Sequence, residues 1–84
     1  IWEWVQTDVQ YRNKTTIIIT TDHGRGTVPI DEWRSHGTKI NGADQIWIAA
    51  IGAGVNPKGE VKEARQLYQN QVAATVATAL GLTF

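Results

Sequence analysis

One stretch restricts the fold of this chain more than any other. Residues 15–21 read Thr-Thr-Ile-Ile-Ile-Thr-Thr, an unbroken run of β-branched side chains. Such residues lose side-chain freedom in a helix and pack well on a pleated surface, so the run predicts a strand. Its centre is continuously apolar rather than alternating, which suits a strand covered on both faces in an α/β sheet. The strand stops at Asp22-His23-Gly24-Arg25-Gly26, where two glycines offer the backbone freedom for a sharp turn.

The rest of the pattern fits around that strand. Residues 45–51, Gln-Ile-Trp-Ile-Ala-Ala-Ile, predict a second buried strand closed by Gly52 and Gly54. Residues 38–40 are a candidate short strand, because Asn41-Gly42 is a common hairpin turn pair. Residues 28–37 read as irregular loop, residues 11–14 as a polar turn, and residues 60–64 carry no clear pattern. Residues 69–80 predict a helix: Val72, Val76 and Leu80 fall four apart, with alanine and threonine filling a narrow face. Gly81 is its stop signal, and Leu82 and Phe84 are expected to pack on the core. Residues 1–9 read as the end of another helix, with Trp2, Val5 and Val9 along one side. The order helix, strand, loop, strand, helix predicts α/β architecture with helices covering a sheet.

The chain opens Ile-Trp-Glu-Trp-Val, which reads as ordered structure, whereas natural chain ends are commonly polar and mobile. The expectation is therefore a single C-terminal fragment, residues 1–84, of a larger domain. A chain of this length buries only about 60% of its unfolded surface. It is expected to need a missing N-terminal part or a homo-oligomeric partner, since truncation would leave a sheet edge exposed. Eight acidic residues balance eight basic ones, scattered without a basic run, so no field points at nucleic acid or an anionic membrane. No apolar run approaches the roughly 20 residues of a membrane span. The absence of cysteine removes disulfides and thiolate metal sites.

Chemistry concentrates at the end of the first strand. Ligands in open α/β sheets bind outside the carboxyl ends of strands, which is where Asp22 and His23 stand. A carboxylate and an imidazole are both ligands for zinc, manganese or iron. The second histidine, His36, also precedes a glycine and lies in the same loop region. Set against this, an Asp-His-Gly triplet alone often caps a turn, and a lone loop histidine is usually solvated. Arg25 presents a planar fork suited to a phosphate or sulfate oxygen. The plainer reading pairs it with Asp31 or Glu32. Trp33 fits loop packing, with a substrate-pocket wall as the alternative. Trp2, Trp4 and Trp47 read as core or as surface left exposed by truncation. Thr20 and Thr21 read as strand residues rather than nucleophiles, and Asp31, Glu32 and Asp44 as solvated charges.

In that order the segments resemble the alkaline phosphatase superfamily, which includes arylsulfatases, nucleotide pyrophosphatases/phosphodiesterases and cofactor-independent phosphoglycerate mutases. Residues 18–24, Ile-Ile-Thr-Thr-Asp-His-Gly, are similar to its strand-end "TDHG" signature. His36-Gly37 stands where that family carries another metal histidine. Residues 46–55 are similar to its apolar strand ending in a Gly-x-Gly loop, and residues 71–82 to its closing helix and "LGL" end. The resemblance covers about residues 15–84. It implies a three-layer α/β/α sandwich with a mixed sheet, and a metal-dependent hydrolase of phosphate or sulfate esters with two divalent ions. Zinc is the expected metal, with manganese, calcium or magnesium as alternatives, because the visible ligand set is incomplete. It further implies that Asp22 and His23 bind one ion and His36 its neighbour, such pairs sitting about 3.5–4 Å apart. The family's nucleophile and remaining acidic ligands lie on earlier strands outside this chain, so the fragment alone is expected to be inactive. The rivals are a phosphomutase of the same superfamily and a non-catalytic α/β binding or assembly module.

Overall fold

The computed structural model describes residues 1–83. The chain has mixed α and β content: helix α1 at Trp2–Thr7, strand β1 at Thr16–Thr20, a 3₁₀ turn at Ile30–Arg34, strand β2 at Ile48–Gly52 and helix α2 at Gln71–Ala79. The two strands pair with each other in one sheet. Their direction is antiparallel, because Ala53 N–H donates to the Thr15 carbonyl while the Thr20 hydroxyl donates to the Trp47 carbonyl. The residues divide into two compact units, one of Ile1–Ile17 with the chain from Ala50 onward, the other of Ile18–Ala49.

In the first unit α1 places Val5 inward, 5% exposed and the one buried hydrophobic side chain among the described residues. Trp2 is half-buried, whereas Val9 lies beyond the helix and is exposed, so the expected three-residue stripe is shorter than the sequence suggested. Trp4 is exposed and meets the Tyr11 ring at 5.3 Å. Residues 11–14 do turn the chain, with Asn13 in the left-handed region and Lys14 N–H bonded to the Tyr11 carbonyl.

Helix α2 begins two residues later than the pattern predicted and ends where Gly81 required. Gly81 adopts φ +74°, and its N–H bonds the Thr78 carbonyl while Leu82 N–H reaches back to Ala77. These two bonds are the Schellman arrangement, which satisfies carbonyls left open at a helix end. At the other end the Gln71 side-chain oxygen accepts the Tyr68 N–H at 2.7 Å. Gly81→Ala is expected to cost about 1 kcal/mol, because an L side chain is strained at positive φ. Denaturant unfolding of the variant checks this, and an unchanged midpoint would remove the cap from the account. Leu82 is exposed rather than packed on a core, and Phe84 lies outside the described residues.

Both strands fall inside or near their predicted positions, but neither is buried. β1 is partly covered with Ile19 exposed, and β2 is exposed from Ile48 to Ile51. Two strands, one six-residue helix and one nine-residue helix do not supply enough side chains to cover both faces of a sheet. The predicted strand at 38–40 does not form. Those residues enter consecutive turns, with Ile40 N–H bonded to Gly37 O and Ala43 N–H to Ile40 O. Residues 30–34, read as irregular, form the 3₁₀ turn, which follows Pro29 and carries Asp31 and Glu32 in its first turn. Among the described residues no helix is long and apolar enough to cross a membrane.

Candidate metal centre

The second unit carries every residue singled out for chemistry. Leaving β1 after Thr20, the chain passes through Asp22 and His23 into a segment fixed almost entirely by main-chain contacts. Gly24 N–H donates to the Ala43 carbonyl at 2.8 Å, and Gly26 N–H donates to the Ser35 carbonyl at 2.9 Å. The second bond draws residues 35 and 36 toward the strand end. Both glycines were expected to supply a special backbone angle. The reason is different: neither has positive φ, and the constraint is space. A Cβ at Gly24 would run into the carbonyl oxygens of Gly42 and Gln45, and one at Gly26 into that of Glu32. Gly42 is the residue here that needs its conformational freedom, at φ +95°.

This packing brings together two residues thirteen apart in the chain. The imidazoles of His23 and His36 stack, with centroids 3.9 Å apart and planes inclined by 15°. His23 Nδ1 lies 2.6 Å from the Gly24 carbonyl oxygen. A carbonyl can only accept, so Nδ1 is the donor, and in the neutral ring the lone pair is then on Nε2. Metal-binding histidines typically have their ring fixed in this way. Asp22 Oδ1 accepts the His23 backbone N–H at 3.0 Å and stands 3.7 Å from His23 Nε2. That gap is shorter than two ligand bonds of about 2.0–2.2 Å laid end to end, so one ion can touch both atoms.

The donor set therefore fits part of a divalent-ion centre. Nearly parallel rings direct their in-plane lone pairs into separate, stacked planes. Such rings do not converge on one ion. Among the described residues no group of three His, Cys, Asp or Glu side chains closes around a single point. The Asp22 side chain is largely exposed and His23 is partly so. No family model, curated protein or solved structure matches the chain.

Two further residues can be placed from the structure itself. The Arg25 guanidinium carbon lies 5.2 Å above the Trp33 ring, a cation–π contact worth about 0.5–1 kcal/mol at an exposed site. The simpler expectation, an ion pair with Asp31 or Glu32, is not met: the Lys or Arg ion pair formed among the described residues is that of Lys62 with Glu60. Sequence reasoning missed the Arg25–Trp33 contact because it links a strand-end loop to the 3₁₀ turn, whose presence it did not anticipate. The Thr20 hydroxyl is 2.8 Å from the Trp47 carbonyl and 3.3 Å from the Thr21 carbonyl, which is the engagement of a strand residue rather than of a nucleophile.

Proposed function

We propose that this chain is the C-terminal part of the catalytic domain of a metal-dependent phosphate- or sulfate-ester hydrolase, resembling the alkaline phosphatase superfamily. In that reading β1 and β2 belong to the mixed sheet of a three-layer α/β/α sandwich completed by preceding sequence. The observation that carries it is the strand-end cluster: Asp22 beside His23, His23 with Nε2 left to ligate, and His36 stacked on it at 3.9 Å. Two divalent ions at such a centre would supply charge neutralisation and a nucleophile ionised near neutral pH.

The chain's own residues do the positioning. Asp22 contributes a hard oxygen donor, and the Gly24 carbonyl fixes the plane of His23, which sets where its lone pair points. Arg25, on the same segment, offers N–H donors to an oxygen of the transferring group. Such donors are most effective when held ready before the reaction, because nothing then has to reorganise in the transition state. The nucleophile and further acidic ligands come from the part of the protein that precedes this chain.

The test is elemental analysis of the intact protein, followed by assay against aryl phosphates and aryl sulfates. The expected result is about two divalent ions per chain and hydrolysis of one ester class that a chelator abolishes. Protein that takes up neither zinc nor manganese and cleaves neither ester would end this reading. The lack of a third converging donor among the described residues favours a second reading, a non-catalytic α/β binding module. Stoichiometric metal with strong mutase and weak hydrolase activity would instead identify a phosphomutase.

A further inference from the structure

Two contacts tie the same pair of segments together. His23 stacks on His36, and two residues further along Arg25 lies over Trp33, with the Gly26–Ser35 hydrogen bond between the same stretches of chain. Position 25 therefore lies two residues from His23 on a segment held to residues 33–36, and the indole lies against the arginine side chain. The arginine is exposed, and among the described residues no carboxylate pairs with it. A contact through the face of an indole satisfies the cation's charge in part and uses none of the guanidinium's N–H donors. The guanidinium fork thus stays available for a partner that accepts several N–H bonds at once, and a tetrahedral oxyanion is such a partner.

We propose that Trp33 is a positioning residue which holds Arg25 as an oxyanion clamp at the edge of the Asp22–His23–His36 cluster. The inference rests on the hydrolase reading, and it assigns to Trp33 a part in substrate recognition that loop packing alone would not give it. Freely rotating arginine side chains lose much conformational freedom on gripping a ligand, and a ring that limits the rotamers beforehand reduces that loss. The prediction is consequently about affinity for the anion, felt through Arg25.

The experiment uses the intact, metal-loaded protein and calorimetric titration with inorganic phosphate and, separately, inorganic sulfate. The anion bound more tightly names the ester class. R25A is expected to weaken that binding at least about tenfold, in line with loss of charge-assisted hydrogen bonds. W33L should weaken it roughly three- to tenfold, and W33F by less than about threefold, since a phenyl ring retains part of the cation–π attraction. On the R25A background neither Trp33 substitution should change affinity further. If W33L fails to fold, as judged by melting and metal content, W33F alone carries the same comparison across the two backgrounds.

Wild-type affinity in W33L overturns the inference, as does an equal loss from Trp33 substitution with and without Arg25. Protein that binds metal but neither anion also overturns it while leaving the metal centre standing. Protein that binds neither metal nor anion overturns the hydrolase reading as well.

Discussion

His23→Ala should strip the intact protein of bound metal at the strand-end site and take with it the stability that the metal provides. The imidazole supplies the one donor whose tautomer is fixed by the backbone, through Nδ1 and the Gly24 carbonyl 2.6 Å away. Its loss leaves the largely exposed Asp22 carboxylate as the remaining donor of that pair. An ion bound only to the folded state stabilises it by about 2.7 kcal/mol at a hundred times its dissociation constant. In the variant the difference in unfolding free energy between metal-loaded and chelator-treated protein is expected to fall close to zero. Unfolding midpoints measured with and without chelator, beside elemental analysis, provide the check. His36→Ala should act on the neighbouring ion and leave the Asp22–His23 ion bound more weakly rather than absent. A metal content unchanged in His23→Ala would mean that the Asp-His-Gly segment is structural, and would favour the binding module.

Gly24→Ala should be worse for the fold than its size suggests, at about 3 kcal/mol, the upper end of what overpacking costs. The added methyl has no side chain to push aside. It would meet two main-chain oxygens, those of Gly42 and Gln45, that hold the adjoining turns in place. Relief requires the loop to withdraw, which breaks the Gly24–Ala43 hydrogen bond and moves His23 off His36. Gly37→Ala is the matched control, because its nearest obstacle is a flexible Ile40 methylene carbon at 3.9 Å, an ordinary contact. Denaturant unfolding of the two variants side by side separates a spatial requirement at residue 24 from a general preference for glycine in this loop. Equal, small costs at both positions would contradict the close approach described here.

The sequence showed local structure well and the rest poorly, for reasons visible in particular residues. The run at 15–21 announced β1 because β-branched side chains act through their own backbone, and Gly81 announced the end of α2 because a helix stop is a single-residue event. The burial of the strands was overestimated, because a continuous apolar centre says what a strand tolerates and not what lies over it. The 3₁₀ turn at Ile30–Arg34 had a readable signal, a proline with acidic residues two and three positions on, but short turns of this kind compete closely with irregular loop. Asp22, His23 and His36 were singled out by type and placement. The stacking of His23 on His36 was not legible, because it depends on Gly26 and Ser35 meeting through the main chain. Glycine betrays nothing in a sequence about whether it is there for angle or for room.

Helix α2 has one more consequence. Its two threonines, Thr75 and Thr78, spend their hydroxyl protons on the carbonyls of Gln71 and Ala74 one turn back. No charged residue occurs after Arg65. From Val72 to Ala79 the helix therefore shows a neighbour little but methyl groups, on a cylinder kept slim by alanine. Such a surface is electrically quiet. A neighbour packed against such a face would be met by contour rather than by charge, and rising ionic strength would weaken that contact little.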